Sequence, residues 1–374
     1  MLCIARSRSF FLRFNKEQLT GLLLLLVLLN GVIRAEQRVD AACRGCHATQ
    51  GLSVKLPSGE ILPLAVDLKA LDTSVHQAVP CTGCHTNIQT YPHPEITAHD
   101  RRGFQVERYP QCRTCHPEQY KDALDSNHAR VLAAGNRDGA TCIDCHGSHS
   151  MTKPAQPRQR ISTNCGQCHQ VLYQEYLMSA HGKALLEKGN PDAPVCTDCH
   201  GAHRQEDPTT AAFRLKSPKL CNKCHGNAAM MSKYNLSPDV FNTYVADFHG
   251  LTVTLFEKEN PDQEVNKAVC TDCHGVHKIL KVSEAGSAVV KENLLKTCRR
   301  CHPDADANFP DSWVGHFAPS RDRFPLVYYV NLFYWILIPV TIGGMVLFVL
   351  IDAGGRMARR FRRNRSNGTE DQTA

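Results

Sequence analysis

Net charge is almost absent from the middle of this 374-residue chain, although the whole chain carries +7. Residues 1–35 carry a net +4 and residues 326–374 a net +3, which leaves residues 36–325 with none. A nucleic-acid-binding protein concentrates Lys and Arg on the surface that meets the phosphates. The distribution therefore argues against nucleic acid as a partner and assigns the basic residues to the two ends.

Charge is also absent from Leu326–Ile351, a run of 26 residues that is long enough to span a bilayer with some tilt. Its first third is rich in aromatic residues, as in an interfacial belt: Tyr328, Tyr329, Tyr334 and Trp335. Six arginines follow between residues 356 and 365. By the positive-inside rule, the sequence predicts a transmembrane helix at 326–351 and a basic cytoplasmic tail at 352–374.

The other end carries a second targeting pattern. Basic residues precede an apolar stretch from Leu19 to Ile33, and Ala35 is a candidate cleavage residue. Residues 1–35 are thus predicted to be a secretory signal peptide, with an uncleaved signal anchor as the alternative. Both ends place residues 36–325 on the periplasmic side of a bacterial cytoplasmic membrane, in a single-pass protein.

Cysteine is nearly absent outside one repeated motif, because 18 of the 19 cysteines belong to nine copies of Cys-x-x-Cys-His. The motif cysteines are Cys43, Cys46, Cys81, Cys84, Cys112, Cys115, Cys142, Cys145, Cys165, Cys168, Cys196, Cys199, Cys221, Cys224, Cys270, Cys273, Cys298 and Cys301. The histidines that end the motifs are His47, His85, His116, His146, His169, His200, His225, His274 and His302. We number these motifs one to nine in chain order.

This motif carries a definite chemistry. Two cysteines three positions apart can form thioether bonds to both vinyl groups of one haem, and the next histidine then reaches the iron. Zinc sites and disulfide frameworks need no histidine directly after each cysteine pair. The sequence therefore predicts nine covalent c-type haems, each with the motif histidine as its proximal iron ligand.

So many haems in 290 residues change the expected fold. An ordinary domain of that length builds a core from apolar side chains, whereas here the porphyrins would form the core. We expect a mainly α chain with much irregular structure, arranged as an elongated multihaem array, plus one C-terminal transmembrane helix. Because the chain is tied to its haems, the apo-protein is expected to be largely unfolded.

Ten further histidines are candidates for the second axial position, and most fall into two patterns. Three end the pattern Cys-x-Asp-Cys-His-Gly-x-His, namely His149, His203 and His277. Three follow Ser-x, namely His76, His128 and His181, and His249 and His316 occupy the corresponding places later. His93 and His99 are alternatives for the second haem, and His93 is preferred because two prolines fix its backbone.

Periodicity supports the ligand role of three of these histidines. Each lies four and eight residues after apolar or aromatic positions, in the series Tyr120, Leu124, His128; Tyr173, Leu177, His181; and Phe241, Val245, His249. That spacing would place each histidine on the apolar face of one continuous helix. The motifs and spare histidines together form a two-haem repeat that occurs four times, followed by half a repeat.

These residues resemble the multihaem cytochrome c family, in particular members that feed or drain a membrane b-type cytochrome. The resemblance covers residues 40–351 and includes the anchor that follows Trp313–His316. It implies a quinone-linked respiratory role, with a b-type cytochrome or another quinone-linked subunit as the membrane partner. A periplasmic electron carrier or reductase would be the other partner. No histidine lies in Leu326–Ile351, so this chain would hold no haem within the bilayer.

Two other functions remain alternatives. A multihaem oxyanion reductase needs one haem with an open distal position, and a stand-alone quinol dehydrogenase would act without a membrane partner. Between the motifs, the turn signal in Val54–Leu62 predicts a hairpin over the first haem. Ser150–Arg160 is predicted to be an exposed linker.

Overall fold

A computed structural model of the chain describes residues 40–88, 91–154, 156–263, 267–312 and 315–370. The predicted signal peptide lies outside the described residues, as does Trp313. Contacts divide the chain into two compact units. Unit 1 runs to Arg214 and also includes His274–Glu284, whereas unit 2 consists of Leu215–Cys273 and the chain from Ala285 onward.

The described part of the chain is mainly helical, as predicted, and its two strands have three residues each. The strands are β1 (Ser53–Lys55) and β2 (Ile61–Pro63). The helices are α1 (40–47), α2 (Leu68–Asp72), α3 (Cys81–Cys84), α4 (Arg101–Arg108), α5 (Pro117–Leu124), α6 (Asn127–Ala133), α7 (Cys142–His146), α8 (Gln159–Gly166), α9 (Gln170–Met178), α10 (Ala180–Leu186), α11 (Cys196–His200), α12 (Ala211–His225), α13 (Ala228–Ser232), α14 (Val240–Ala246), α15 (Phe248–Glu259), α16 (Cys270–His274), α17 (Lys291–Cys298) and α18 (Pro325–Glu370). Short 3₁₀ segments lie at Tyr109–Thr114 and Phe309–Ser312.

Most helices are short because capping residues interrupt them at close intervals. Asp100 accepts a hydrogen bond from the Gly103 N–H at 2.7 Å and starts α4. Asn227 starts α13 in the same way. A side-chain oxygen that accepts from the first turn stabilises a helix start by about 1 kcal/mol. These caps place many helix ends along the chain, and the helix ends position the motifs.

The three continuous helices expected from periodicity are not formed, and this prediction was wrong. Tyr120 and Leu124 lie in α5 and His128 in α6; Tyr173 and Leu177 lie in α9 and His181 in α10; Phe241 and Val245 lie in α14 and His249 in α15. The residue that starts each second helix has an extended backbone, with ψ of 159° at Ser126, 162° at Ser179 and 157° at Asp247. Each candidate ligand is therefore the second residue of a new helix.

Apolar side chains form only small buried clusters in the described residues. In unit 1, Tyr176, Leu185, Ala193 and Val195 pack together, and the Tyr176 hydroxyl donates to the Pro194 carbonyl at 2.7 Å. In unit 2, Leu215, Val253 and Val269 form a second cluster, with Phe256 against it. The polypeptide thus supplies little core of its own relative to its length.

The predicted hairpin is present. Strands β1 and β2 pair antiparallel, with Val54 opposite Leu62. Gly59 turns the chain with a φ of 90°, a conformation that glycine adopts without strain. The chain that leaves β2 returns to the first motif, where the Leu64 carbonyl accepts from Nδ1 of His47 at 2.6 Å and the Val66 N–H donates to the His47 carbonyl at 2.8 Å.

The last helix differs from all the others. Its Pro325–Arg360 segment has 36 residues, and an 18-residue stretch within it has a mean hydropathy of 2.3 and is not buried by the rest of the described chain. Among the described residues it is the one helix long and apolar enough to cross a membrane. It contains the predicted span, and Pro339 lies inside it without ending it.

Candidate haem-binding sites

Each motif forms about one helical turn, which places its histidine beside its first cysteine. Helices α7, α11 and α16 begin at the first cysteine of motifs four, six and eight and end at the histidine. In motifs three, five and nine the histidine N–H donates to the carbonyl of the first cysteine at 2.9 Å. Residues four apart on a helix share a face, so the motif presents its ligands to one side.

The aspartate of Cys-x-Asp-Cys-His stabilises this turn. Asp144, Asp198 and Asp272 each accept a hydrogen bond from the backbone N–H three residues earlier, at 2.6, 2.6 and 2.7 Å. Each is the third residue of its helix, where a carboxylate also interacts favourably with the helix dipole. In the sequence, the aspartate served only to mark the repeat, and the structure gives it a structural role.

Two arginines hold these aspartates in unit 1, and the sequence did not single out either of them for that role. Arg102 donates to both carboxylate oxygens of Asp144 at 2.9 and 3.0 Å, and also to two backbone carbonyls. Arg158 donates to Asp198 at 2.5 Å. Arg158 lies in Ser150–Arg160, the predicted exposed linker, and its side chain is 34% exposed. Each arginine precedes its aspartate by a similar number of residues, 42 for Arg102 and 40 for Arg158. An alignment of the repeats could have detected this regular spacing.

Seven motif histidines face a second histidine at nearly the same separation. The pairs of ring centres at 6.0–6.2 Å are His47–His93, His76–His116, His85–His149, His128–His169, His146–His203, His200–His277 and His249–His302. The angles between ring planes run from 21° to 65°. Every partner in these pairs is one of the histidines that the sequence offered for the second axial position.

This separation is the one that a bis-imidazole iron requires. Each metal–nitrogen bond is about 2 Å and each nitrogen lies about 1 Å from its ring centre, which gives about 6 Å in total. The side chains present therefore fit a haem iron between the two rings of each pair. The described cysteines form no disulfide with one another, so their thiols are available for thioether bonds.

The structure places His93 at a different motif from the one predicted. His93 and His99 were alternatives for the second haem, but the His93 ring stacks 6.2 Å from the His47 ring of motif one, with 21° between their planes, and His85 of motif two faces His149. The assignment to the second haem is therefore corrected. The His99 side chain is 74% exposed, and its Nδ1 lies 3.6 Å from a carboxylate oxygen of Asp100, so the geometry supports His93 as the ligand. His181 and His316 stay predicted second axial ligands.

Burial keeps many of these imidazoles neutral, which is the form that binds iron. It is the main cause that lowers the pKa of His85, His128, His146, His149, His200, His225 and His316. A second imidazole nearby lowers the pKa further in several pairs, as His203 does for His146. The arrangement therefore favours coordination over protonation.

The positions of the thiols show which motifs lie next to one another. The first cysteines of successive motifs lie within hydrogen-bonding reach in four pairs, Cys43–Cys81, Cys112–Cys142, Cys165–Cys196 and Cys221–Cys270. The Cys142 thiol, for example, lowers the pKa of Cys112 to about 7. Cys84 lies close to Cys112, and Cys145 to Cys168. The first cysteines thus lie close together within four successive pairs of motifs. Contacts between other cysteines, such as Cys145 and Cys168, bring the end of one pair close to the start of the next.

Comparisons with known proteins agree with this chemistry. Residues 134–226, which contain motifs four to seven, match the profile of the family described as Cytochrome c3. A stretch of 113 residues is 27% identical to a protein of Nitrosomonas europaea described as "Probable tetraheme cytochrome c-type". That match covers 29% of this chain and 43% of the relative, less than half its length. No solved structure matches the chain. The nine motifs and these two matches together support a multihaem cytochrome c family for this chain.

Proposed function

We propose that this protein is a membrane-anchored nonahaem cytochrome that carries electrons in respiration between a quinone-linked membrane partner and periplasmic redox partners. Nine motifs offer nine covalent attachment sites, and α18 offers an anchor. When bound, each haem supplies a one-electron iron couple whose potential depends on its axial ligands and surroundings. The side chains of the chain hold and orient that group.

The observation that carries the proposal is the set of seven histidine pairs. Two imidazoles would fill both axial positions of a bound iron, so no position would stay open for a substrate at these seven motifs. The start of α6 holds one such ring, that of His128. This favours electron transfer over the reduction of an oxyanion, which needs an open site.

The test is the spin state of the purified full-length holoprotein. Electron paramagnetic resonance of the oxidised form should show only low-spin iron, and the reduced form should take up no carbon monoxide. A high-spin haem that binds carbon monoxide would identify an open site and support the oxyanion reductase instead. Iron analysis and the mass of the intact chain should give nine haems.

Partners and topology need their own experiments. A reporter enzyme that is active only in the periplasm should be inactive when fused after residue 374 and active when it replaces residues 326–374. Membranes that contain this chain without any b-type cytochrome should fail to oxidise a quinol. Oxidation under those conditions would support the stand-alone quinol dehydrogenase.

A further inference from the structure

One backbone hydrogen bond recurs three times in unit 1 at equivalent positions. It joins the Val75 N–H to the Met151 carbonyl at 2.9 Å, the Asn127 N–H to the Gln205 carbonyl at 2.8 Å, and the Ala180 N–H to the Ile279 carbonyl at 2.7 Å. The donor always precedes the histidine of Ser-x-His. The acceptor always lies two residues after the last histidine of Cys-x-Asp-Cys-His-Gly-x-His. We call this bond the clamp.

The donor side is held rigidly by the serine of Ser-x-His. Ser126 is 3% exposed and Ser179 fully buried, and their hydroxyls accept from the Ala129 and Gly182 N–H groups at 3.1 and 2.9 Å. Asn127 and Ala180 are the first residues of α6 and α10, whose N–H groups have no partner within their own helix. The clamp satisfies those two N–H groups with a carbonyl from a distant segment.

The acceptor side is a sharp turn after each motif. Gly147, Gly201 and Gly275 have φ of 77°, 79° and 86°, where a side chain would be strained. Side chains strengthen two of the clamps. Gln205 hydrogen-bonds the His128 ring, and Lys183 pairs with Glu284 at 2.9 Å beside the third clamp.

The clamp joins histidines that belong to neighbouring iron sites. At the second clamp, His203 faces His146 of motif four, and His128 faces His169 of motif five. At the first clamp, His149 faces His85 of motif two, and His76 faces His116 of motif three. Each of these clamps thus spans the boundary between two pairs of motifs.

We propose that the clamp is a positioning device that sets the distal ligands of two neighbouring haems at once. This rests on the proposed haem ligation. The Ser-x-His helix start and the turn that ends the following pair of motifs are fixed to each other by one main-chain bond. Movement of either segment would therefore displace the axial ligands of both haems, and ligation at the boundary is coupled.

The test removes the N–H donor of the clamp in the full-length holoprotein. Asn127→Pro places proline at the first position of a helix, where it is tolerated, after a residue whose extended backbone suits it. We expect two haems to lose low-spin character together, with carbon monoxide uptake by the reduced protein rising from none to two haems per chain. Ala180→Pro tests the third clamp in the same way.

Two controls separate the clamp from other effects. Asn127→Ala removes the side chain but keeps the N–H, and Lys291→Pro places proline at the start of α17, outside any clamp. Both should remain low-spin. If Asn127→Pro leaves every haem unchanged, or changes one haem only, the coupling is refuted. If wild-type protein already binds carbon monoxide, the proposed function fails instead.

Amide hydrogen exchange in the wild-type protein tests the clamp even if the variants do not incorporate haem. Amide hydrogens at the first position of a helix normally exchange quickly, because they have no partner in the helix. The clamped amides of Asn127 and Ala180 should exchange at least about 10-fold more slowly than that of Lys291. Equal rates would overturn the proposal.

Discussion

Two helix breaks in different units carry out the same task with different side chains. Between α5 and α6 the buried Ser126 hydroxyl caps the new helix, whereas between α14 and α15 Asp247 holds the equivalent position without a side-chain cap. The backbone is the same, with ψ of 159° and 157°, but the Asp247 carboxylate lies 3.9 Å from Nδ1 of His249. The ring planes also differ, at 37° for His128–His169 and 65° for His249–His302. The backbone conformation thus places the ligand, and the side chain sets the charge beside it.

Removal of the ligand itself should give the largest effect in both units. In His128→Ala and in His249→Ala, one iron loses an axial ligand, so one haem per chain should become high-spin and bind carbon monoxide on reduction. His99→Ala is the matched control, because that side chain is exposed and pairs with Asp100. Carbon monoxide titration followed in the Soret band measures the result. An unchanged His249→Ala protein would remove that histidine from the ligand set.

Loss of the aspartate carboxylates in the motif turns should give the next largest effect. Asp198→Asn weakens the cap on the Val195 N–H and the pair with Arg158. Asp272→Asn weakens the cap on the Val269 N–H. We expect each variant to lose at least about 1 kcal/mol of stability, since a helix cap contributes about 1 kcal/mol. Thermal unfolding of the holoproteins measures the loss, and a variant as stable as the wild type would contradict the capping role.

A reciprocal exchange sharpens the contrast between the two helix breaks. Asp247→Ser removes a negative charge beside His249 and should raise the reduction potential of one haem, because the charge favours ferric iron. Ser126→Asp should lower the potential of another. The partly exposed Asp247 charge contributes about 0.5–1 kcal/mol, which corresponds to about 20–40 mV for a one-electron couple, and a carboxylate at the buried position 126 should shift the potential at least as far. Redox titration followed optically should show two shifts of opposite sign, and shifts of one sign would refute this explanation.

The smallest effect is expected from the pair beside the third clamp. The hydrogen bond and charge of Lys183 lower the pKa of Glu284 below its ordinary 4.5. A carboxylate with a depressed folded pKa stabilises the fold above its unfolded pKa, and this contribution is lost as the pH falls through the folded value. Glu284→Gln should therefore lower the unfolding temperature slightly at pH 7 and leave it unchanged well below pH 4.5. A difference that persists at the acid end would assign the effect to another group.

The sequence predicted the chemistry of this protein better than its local geometry. The motif itself determines a one-turn helix, and the turn signal around Gly59 was sufficient for the hairpin. The series Tyr120, Leu124, His128 was misread because a period of four is compatible with two helices in succession. The serine at position 126 carried the missing information, since serine is a preferred helix start.

Other features depend on contacts that no local pattern shows. Arg102 meets Asp144 across 42 residues, and the choice of His93 over His99 depends on how the chain returns to His47. A comparison of the repeats could have shown the contact between Arg102 and Asp144, because Arg158 and Asp198 lie at nearly the same separation in the sequence. The clamps join backbone atoms, so the sequence motifs mark the two ends of each clamp but not the fact that these ends meet.

In some histidine pairs the second histidine precedes the motif in the chain, and in others it follows the motif. This difference has a consequence for biosynthesis. His116, His169 and His302 face histidines that precede them in the chain, whereas His85, His146 and His200 face histidines from the following repeat. A polypeptide is made from its N-terminus, so motifs three, five and nine have both histidines as soon as the motif emerges. Motifs two, four and six must wait for the next repeat. Maturation would then proceed in steps, with these three sites briefly exposed to whatever else can bind an iron.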